Sequence, residues 1–177
     1  MRICIVSLIP LAVLSQVASA SAAGQGHANV RVQGSIIDTP CAIAAENRDQ
    51  SIDLSTLPLS TIVNEGVGPE KPFTIKLLNC SPETFAKGHK DWSKFSITFD
   101  GKSTTENLFS VSGEASGVGI LLTDSSGNVA VPGKAMPQYA IMPDGMSLNY
   151  TLRLMANQQR MRAGDYQSTI RFKMDYY

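Results

Sequence analysis

GDYQSTIRFKMDYY, residues 164–177, is the stretch whose reading decides the fold. Its even positions Tyr166, Ile170, Phe172, Met174 and Tyr176 are large and apolar or aromatic, with Ser168 the one small member. The odd positions from Asp165 to Asp175 are all polar or charged. Successive side chains of a β-strand point to opposite faces, so the pattern predicts a strand with one apolar and one wet side. Its place at the end of the chain suggests a sheet edge. An exposed edge with an apolar face invites pairing with another chain.

Working outward, the N-terminus gives the compartment. Arg2, an apolar run from Ile3 to Leu14 and the small-residue sites Ala18-Ser19-Ala20 and Ser21-Ala22-Ala23 have the form of a secretory signal peptide, residues 1–23. Cleavage is expected after Ala20 or Ala23, with the mature chain working outside the cytoplasm. Cys4 leaves with that peptide. Cys41 and Cys80 remain, an even pair in an oxidising compartment, and predict one disulfide. Basic and acidic residues balance at 15 each and no basic run occurs, which speaks against a nucleic-acid partner.

Between the two ends the chain reads as short alternating strands separated by turns. Ala28, Val30 and Val32 alternate with Asn29, Arg31 and Gln33 within a Gly-rich lead-in. Further strands are expected at Ser35–Asp38, around Ile52 and Leu54, over Phe73–Cys80, at Phe95/Ile97/Phe99, at Val118/Ile120/Leu122 and at Leu148/Tyr150/Leu152/Leu154. Asp100-Gly101 and Asp124–Gly127 are turn sequences, Thr61–Pro72 a loose connection and Ser81–Asp91 a polar loop. No segment shows sustained helical periodicity. The chain of 177 residues is therefore expected to form one all-β sandwich domain.

Candidate chemistry is thin, and no catalytic residue, metal site or cofactor is assigned. His27 and His89 are the only histidines, and neither stands at ligand spacing from a cysteine. Asp100, Asp124 and Asp144 each lie near a glycine and read as turn aspartates bonding their own backbone. Trp92, the single tryptophan, reads as a loop anchor or as a sugar-stacking platform. Arg160 and Arg162 read as a solvated tip. None of this indicates an enzyme.

Taken together, the alternating segment ahead of the first cysteine, Cys41 with Asn79-Cys80, and an ending with Gly164 fourteenth from the C-terminus and Tyr176 penultimate resemble the pilins of chaperone–usher fimbriae in Gram-negative bacteria. The resemblance spans essentially the whole mature chain. It implies an incomplete immunoglobulin-like sandwich of six strands, missing the last, with one disulfide. It also implies an N-terminal donor-strand extension, residues 24–34, ahead of a pilin domain, residues 35–177. Gly26, Ala28, Val30 and Val32 would be the inward residues of the donor strand. Many pilins have glycine where Ala28 aligns; a register two residues earlier would put Gly26 there. Gly164, Tyr166, Ile170, Phe172, Met174, Tyr176 and Tyr177 would form the groove strand that pairs with a periplasmic chaperone, whose basic residues would hold the Tyr177 carboxylate. The implied partners are that chaperone, an outer-membrane usher and neighbouring pilins. The implied destination is the fimbrium on the cell surface.

One domain is too little for a two-domain tip adhesin. The stretches Gly68–Phe73, Phe95–Gly101, Val111–Gly117, Gly133–Pro137 and Asn149–Leu154 are similar to the terminating, base-anchoring subunit of P pili. A minor subunit that can stop growth is therefore the expectation, with a major rod pilin as the alternative within the family. A secreted single-domain lectin or adhesin, resting on Trp92, is the alternative of another class.

Overall fold

The computed structural model describes residues 30, 31, 33, 39–81, 92–105 and 107–177. The expected signal peptide, Gly26, Ala28 and Val32 of the donor strand, the strand at Ser35–Asp38 and nearly all of the loop Ser81–Asp91 lie outside the described residues.

Alternation builds the main sheet. β1 (Ala42–Ile43), β2 (Lys71–Leu78), β4 (Ser103–Thr105), β5 (Leu108–Ser110), β7 (Val118–Asp124) and β9 (Gly145–Ala156) form six antiparallel strands in the order β1-β2-β9-β7-β5-β4. β9 is its spine, paired with β2 over eight residues and with β7 over seven. It buries Leu148, Tyr150, Leu152 and Leu154 and turns Ser147 and Asn149 to solvent. β2 adds Ile75 and Leu77 to that buried face, and β7 adds Val118, Ile120 and Leu122.

A second sheet covers part of this face. β3 (Lys94–Asp100) lies between β11 (Arg171–Tyr176) and β8 (Tyr139–Ala140). Phe95, Ile97 and Phe99 of β3 are almost wholly buried, and Phe99 meets Tyr150 edge-on with ring centroids 5.0 Å apart. A third, small pairing joins β6 (Ser112–Gly113) to β10 (Tyr166–Gln167). The Cys41–Cys80 disulfide ties the start of β1 to the end of β2 beside the pair Ala42↔Leu78.

The all-β incomplete sandwich is thus present, but with differences in detail. There are eleven strand segments among the described residues rather than six, because several are two or three residues long. The C-terminal run is split: β10 pairs with β6, β11 pairs with β3, and residues 168–170 between them belong to neither strand. Ser168 holds this crossing by donating its hydroxyl to Ser110 O at 2.8 Å. Ile52 and Leu54 form no strand; they are half-buried in an unpaired segment. The connection expected to be loose contains a two-turn helix, α1 (Leu59–Glu65). Gly66 closes it in the left-handed region at φ 74°, its N–H reaching Ile62 O at 2.9 Å. Only Ile62 of this helix is buried, so no 3.6-residue pattern marks it in the sequence.

An apolar cleft with unpaired walls

The sandwich leaves an apolar cleft of about 1090 Å³ along its body. Its floor is the core itself, half-buried Phe73 with the buried Phe99, Val118, Ile120, Leu122, Leu152 and Leu154. One wall is the C-terminal run from Arg162 to Phe172; the other is the segment Asn47–Leu59. Charged groups stand at the rim, with Arg48, Asp49 and Asp53 on one side and Arg162, Asp165 and Arg171 on the other.

The C-terminal wall is built as its alternation requires. At Gly164 (φ 155°) an added Cβ would lie 2.5 Å from Glu114 Cβ, so no larger residue fits there. Tyr166, Ile170, Phe172, Met174 and Tyr176 are all half-buried against the core, while Gln167, Thr169, Arg171 and Lys173 are exposed. Tyr166, Ile170 and Phe172 line the cleft; Met174 and Tyr176 continue the same face beyond it. Phe172 and Tyr176 lean on Phe99 and Phe95 with centroid separations of 6.1 and 6.2 Å. β11 pairs with β3 along one edge, from Arg171↔Asp100 to Tyr176↔Phe95. Its other edge has no strand partner among the described residues. Tyr177 extends the ladder: its N–H donates to Lys94 O at 2.8 Å, and its own oxygen accepts from Ser93 N and Lys94 N at 2.9 and 3.1 Å.

The facing wall leaves the sheet after Ile43. Two side chains then occupy the edge of β2: Asn47 Oδ1 accepts from Lys76 N at 2.8 Å, and Gln50 Nε2 donates to Thr74 O at 3.2 Å. From Ser51 to Leu57 no backbone-to-backbone hydrogen bond reaches another described residue. Ile52, Leu54 and Leu57 are half-buried while Ser51, Asp53 and Ser55 are exposed. Within this wall Asp53 Oδ1 accepts from Ser55 N at 2.7 Å, an Asx turn that holds Ser55 at φ 64°.

Within residues 37–177 the remaining candidates fall away from the cleft or at its rim. Val30, in the N-terminal unit Met1–Ile36, is 89% exposed. Trp92 is half-buried and packs on the core, which fits a loop anchor. Arg160 is exposed, and Arg162 donates through Nε to Glu114 O at 2.8 Å. Asp124 is a buried turn aspartate. It accepts from Ser126 N, Asn128 N, Asn128 Nδ2 and the Tyr139 hydroxyl at 2.6–2.9 Å. Burial pushes its carboxyl up, but these four bonds outweigh it and hold the group below the usual carboxylate range. Among the described residues no three metal-ligating side chains cluster. Sequence reasoning did not find the Asn47–Leu59 wall. Its alternating Ile52 and Leu54 were the signal, read as an ordinary paired strand.

Comparison with known proteins agrees with this architecture. The fimbrial protein family matches residues 30–177. The PRS fimbrial minor pilin protein of Escherichia coli is 33% identical over 144 residues, covering 81% of this chain and 74% of the relative. The fimbria A protein of Serratia marcescens is 36% identical over 166 residues, covering 89% and 88%. A crystal structure of the P pilus rod subunit PapA superposes with a TM-score of 0.70 at 22% identity, over 78% of this chain and all of that one. A structure of a chaperone–usher pilus gives 0.71 at 24%, over 89% and 100%. The chain belongs to the fimbrial protein family and is a pilin subunit of the chaperone–usher type.

Proposed function

We propose that the cleft seats a β-strand supplied by another protein, and that this subunit enters a fimbria through that exchange. The observation that carries the proposal is the pairing state of the two walls. Among the described residues β11 has one free edge, the Ser51–Leu57 segment has no backbone partner, and an apolar floor lies between them. An added strand would gain main-chain bonds from a wall while its alternate side chains fill the trough, a recognition mode of which chaperone–pilin complexes are an instance.

In this reading a periplasmic chaperone provides the first strand, pairing along Gly164–Tyr177, with its basic groups meeting the Tyr177 carboxylate. At the outer-membrane usher the subunit gives its own extension, residues 24–34, to a neighbour, with Gly26, Ala28, Val30 and Val32 as the buried set. Residues 35–177 are the body that receives. We place the subunit at a minor, growth-terminating position at the base of the fimbria. The likeness to the minor pilins of PRS and PAP fimbriae supports this placing.

The test is to co-express the protein with its periplasmic chaperone, purify the complex and challenge it with donor-strand peptides of sister subunits. A complex that resists every peptide is the expected result for a terminal subunit. Exchange of the chaperone strand for a peptide would instead make this a through-subunit of rod or adaptor type. A well-folded free monomer that forms no chaperone complex would overturn the strand-seat reading itself.

A further inference from the structure

Away from the cleft, the end of the main sheet where β2 stops and β9 starts carries apolar side chains that nothing described covers. Leu78 is 45% exposed and Met142 59%, and Ala42 and Pro143 are exposed with them. Large apolar residues scattered singly need no explanation, but a gathering of them marks a contact surface. The backbone places these four together. Leu78 pairs with Ala42 on one side and with Gly145 on the other. Asn79 N donates to Asp144 O and Asp144 N to Cys80 O, at 3.0 and 3.1 Å, so Met142 and Pro143 lead directly into that corner. Leu78 stands bare because its flanking partners lack bulk. A Cβ at Gly145 would lie 2.5 Å from Leu77 O, so no larger residue fits beside it. The corner is fixed before any partner arrives, which keeps the ordering cost of a contact low.

The N-terminal extension joins the body at this same corner. Cys41 is bonded to Cys80 with 4.2 Å between their Cα atoms, and Ser81 N donates to Pro40 O at 2.7 Å. Gly34, the last residue of the extension, precedes Thr39 by five residues. That tether reaches at most about 18 Å even when fully extended. A neighbour holding residues 24–34 in its cleft must therefore bring its body up against this end. The other exposed apolar pair, Leu59 and Val63 of α1, lies at the far end of β9, where Ala156 N donates to Gly66 O.

We propose that Leu78 and Met142, with Ala42 and Pro143, form the surface on which the body of the pilin that receives this chain's extension comes to rest. This rests on the donor role of residues 24–34 proposed above and adds a second contact to it. Four side chains are too little area to hold two free proteins together. Once the extension is seated the contact is intramolecular, and a tether this short supplies an effective concentration of about millimolar order. A weak patch then suffices to fix the angle between the two bodies, which the tether alone would leave free.

The test joins the full-length chain, in its chaperone complex, to the rod pilin of the same fimbria and reads side-chain exposure by hydroxyl-radical labelling and mass spectrometry. The samples are the unjoined chaperone complex, the native pair, and a pair with a Gly/Ser insertion of about eight residues after Gly34, adding roughly 16 Å of flexible reach. Met142 and Leu78 should be labelled in the unjoined complex and several-fold less in the native pair. With the long tether, labelling should return to the unjoined level. Leu78→Glu, on an exposed position outside the core, should restore Met142 labelling in a pair of native tether length. Protection that survives the long tether or Leu78→Glu overturns the contact, while the pair itself leaves the donor role standing. Met142 labelling that does not fall on joining, or is already suppressed in the unjoined complex, overturns it as well. Failure of every pair to form removes the donor role and the contact together.

Discussion

At Asp124 four donors converge on one buried carboxylate, and the arrangement fixes where β7 ends and the connection to β8 begins. The Tyr139 hydroxyl is the most distant of them in sequence, so the carboxylate ties the β7 turn to the strand beside β3. Asp124→Asn keeps the size but replaces an acceptor by a donor facing donors. It should cost about 1–3 kcal/mol in urea unfolding at neutral pH. The pH dependence has a definite sign. The folded-state pKa is lowered from 3.8, so the stabilisation holds above the ordinary aspartate value and is lost as pH falls through the lowered one. The native chain should therefore lose stability on acidification below about pH 4, and Asp124→Asn should lose less. A variant with the native chain's stability and acid slope would show that the network is not structural. That Asp124 serves its own turn was readable from the Asp-Ser-Ser-Gly sequence; that Tyr139 joins it was not, because nothing local connects positions fifteen apart.

Among the elements, β11 and β9 show why alternation is a reliable signal and where it stops. β9 alternates because one face is packed and the other is wet, and Leu148, Tyr150, Leu152 and Leu154 mark it, although the strand runs on to Gly145 and Ala156. β11 alternates the same way, yet its inward residues are only half-buried, and among the described residues its outer edge has no strand partner. Sequence shows which side of a strand is apolar; it does not show whether that side has a cover. The same limit hid the Ile52–Leu57 wall, whose alternation is strand-like and which has no backbone partner among the described residues. α1 escaped for another reason: a two-turn helix with one buried residue has no periodicity to read. The face assignment of β11 can be tested directly. Phe172→Asp places a charge against Phe99 and the cleft and should abolish accumulation with the chaperone. Lys173→Asp, on the exposed face, should leave yield close to native. Equal periplasmic yields for the two variants would reverse the assignment.

For the molecule as a whole, two devices offset an incomplete sandwich. One is the Cys41–Cys80 bond, which closes 39 residues of chain across the edge strand. Cys41→Ser should lower stability by about 4 kcal/mol on the chain-entropy estimate, read as a shift of the urea midpoint. A native chain equally stable with and without reductant would remove that role. The other is the β3–β11 ladder, which joins residues 95–100 to residues 171–176. Those partners are separated by roughly seventy to eighty residues of chain, much as the partners of β2 and β9 are, so both sheets rest on long-range closure. The cleft depends on that ladder, since its wall is the run that leads into β11. Fold and cleft are thus one property: whatever frays β11 from β3 takes the wall of the cleft with it, so on the strand-seat proposal a partner that reads the cleft also reads whether the chain is intact.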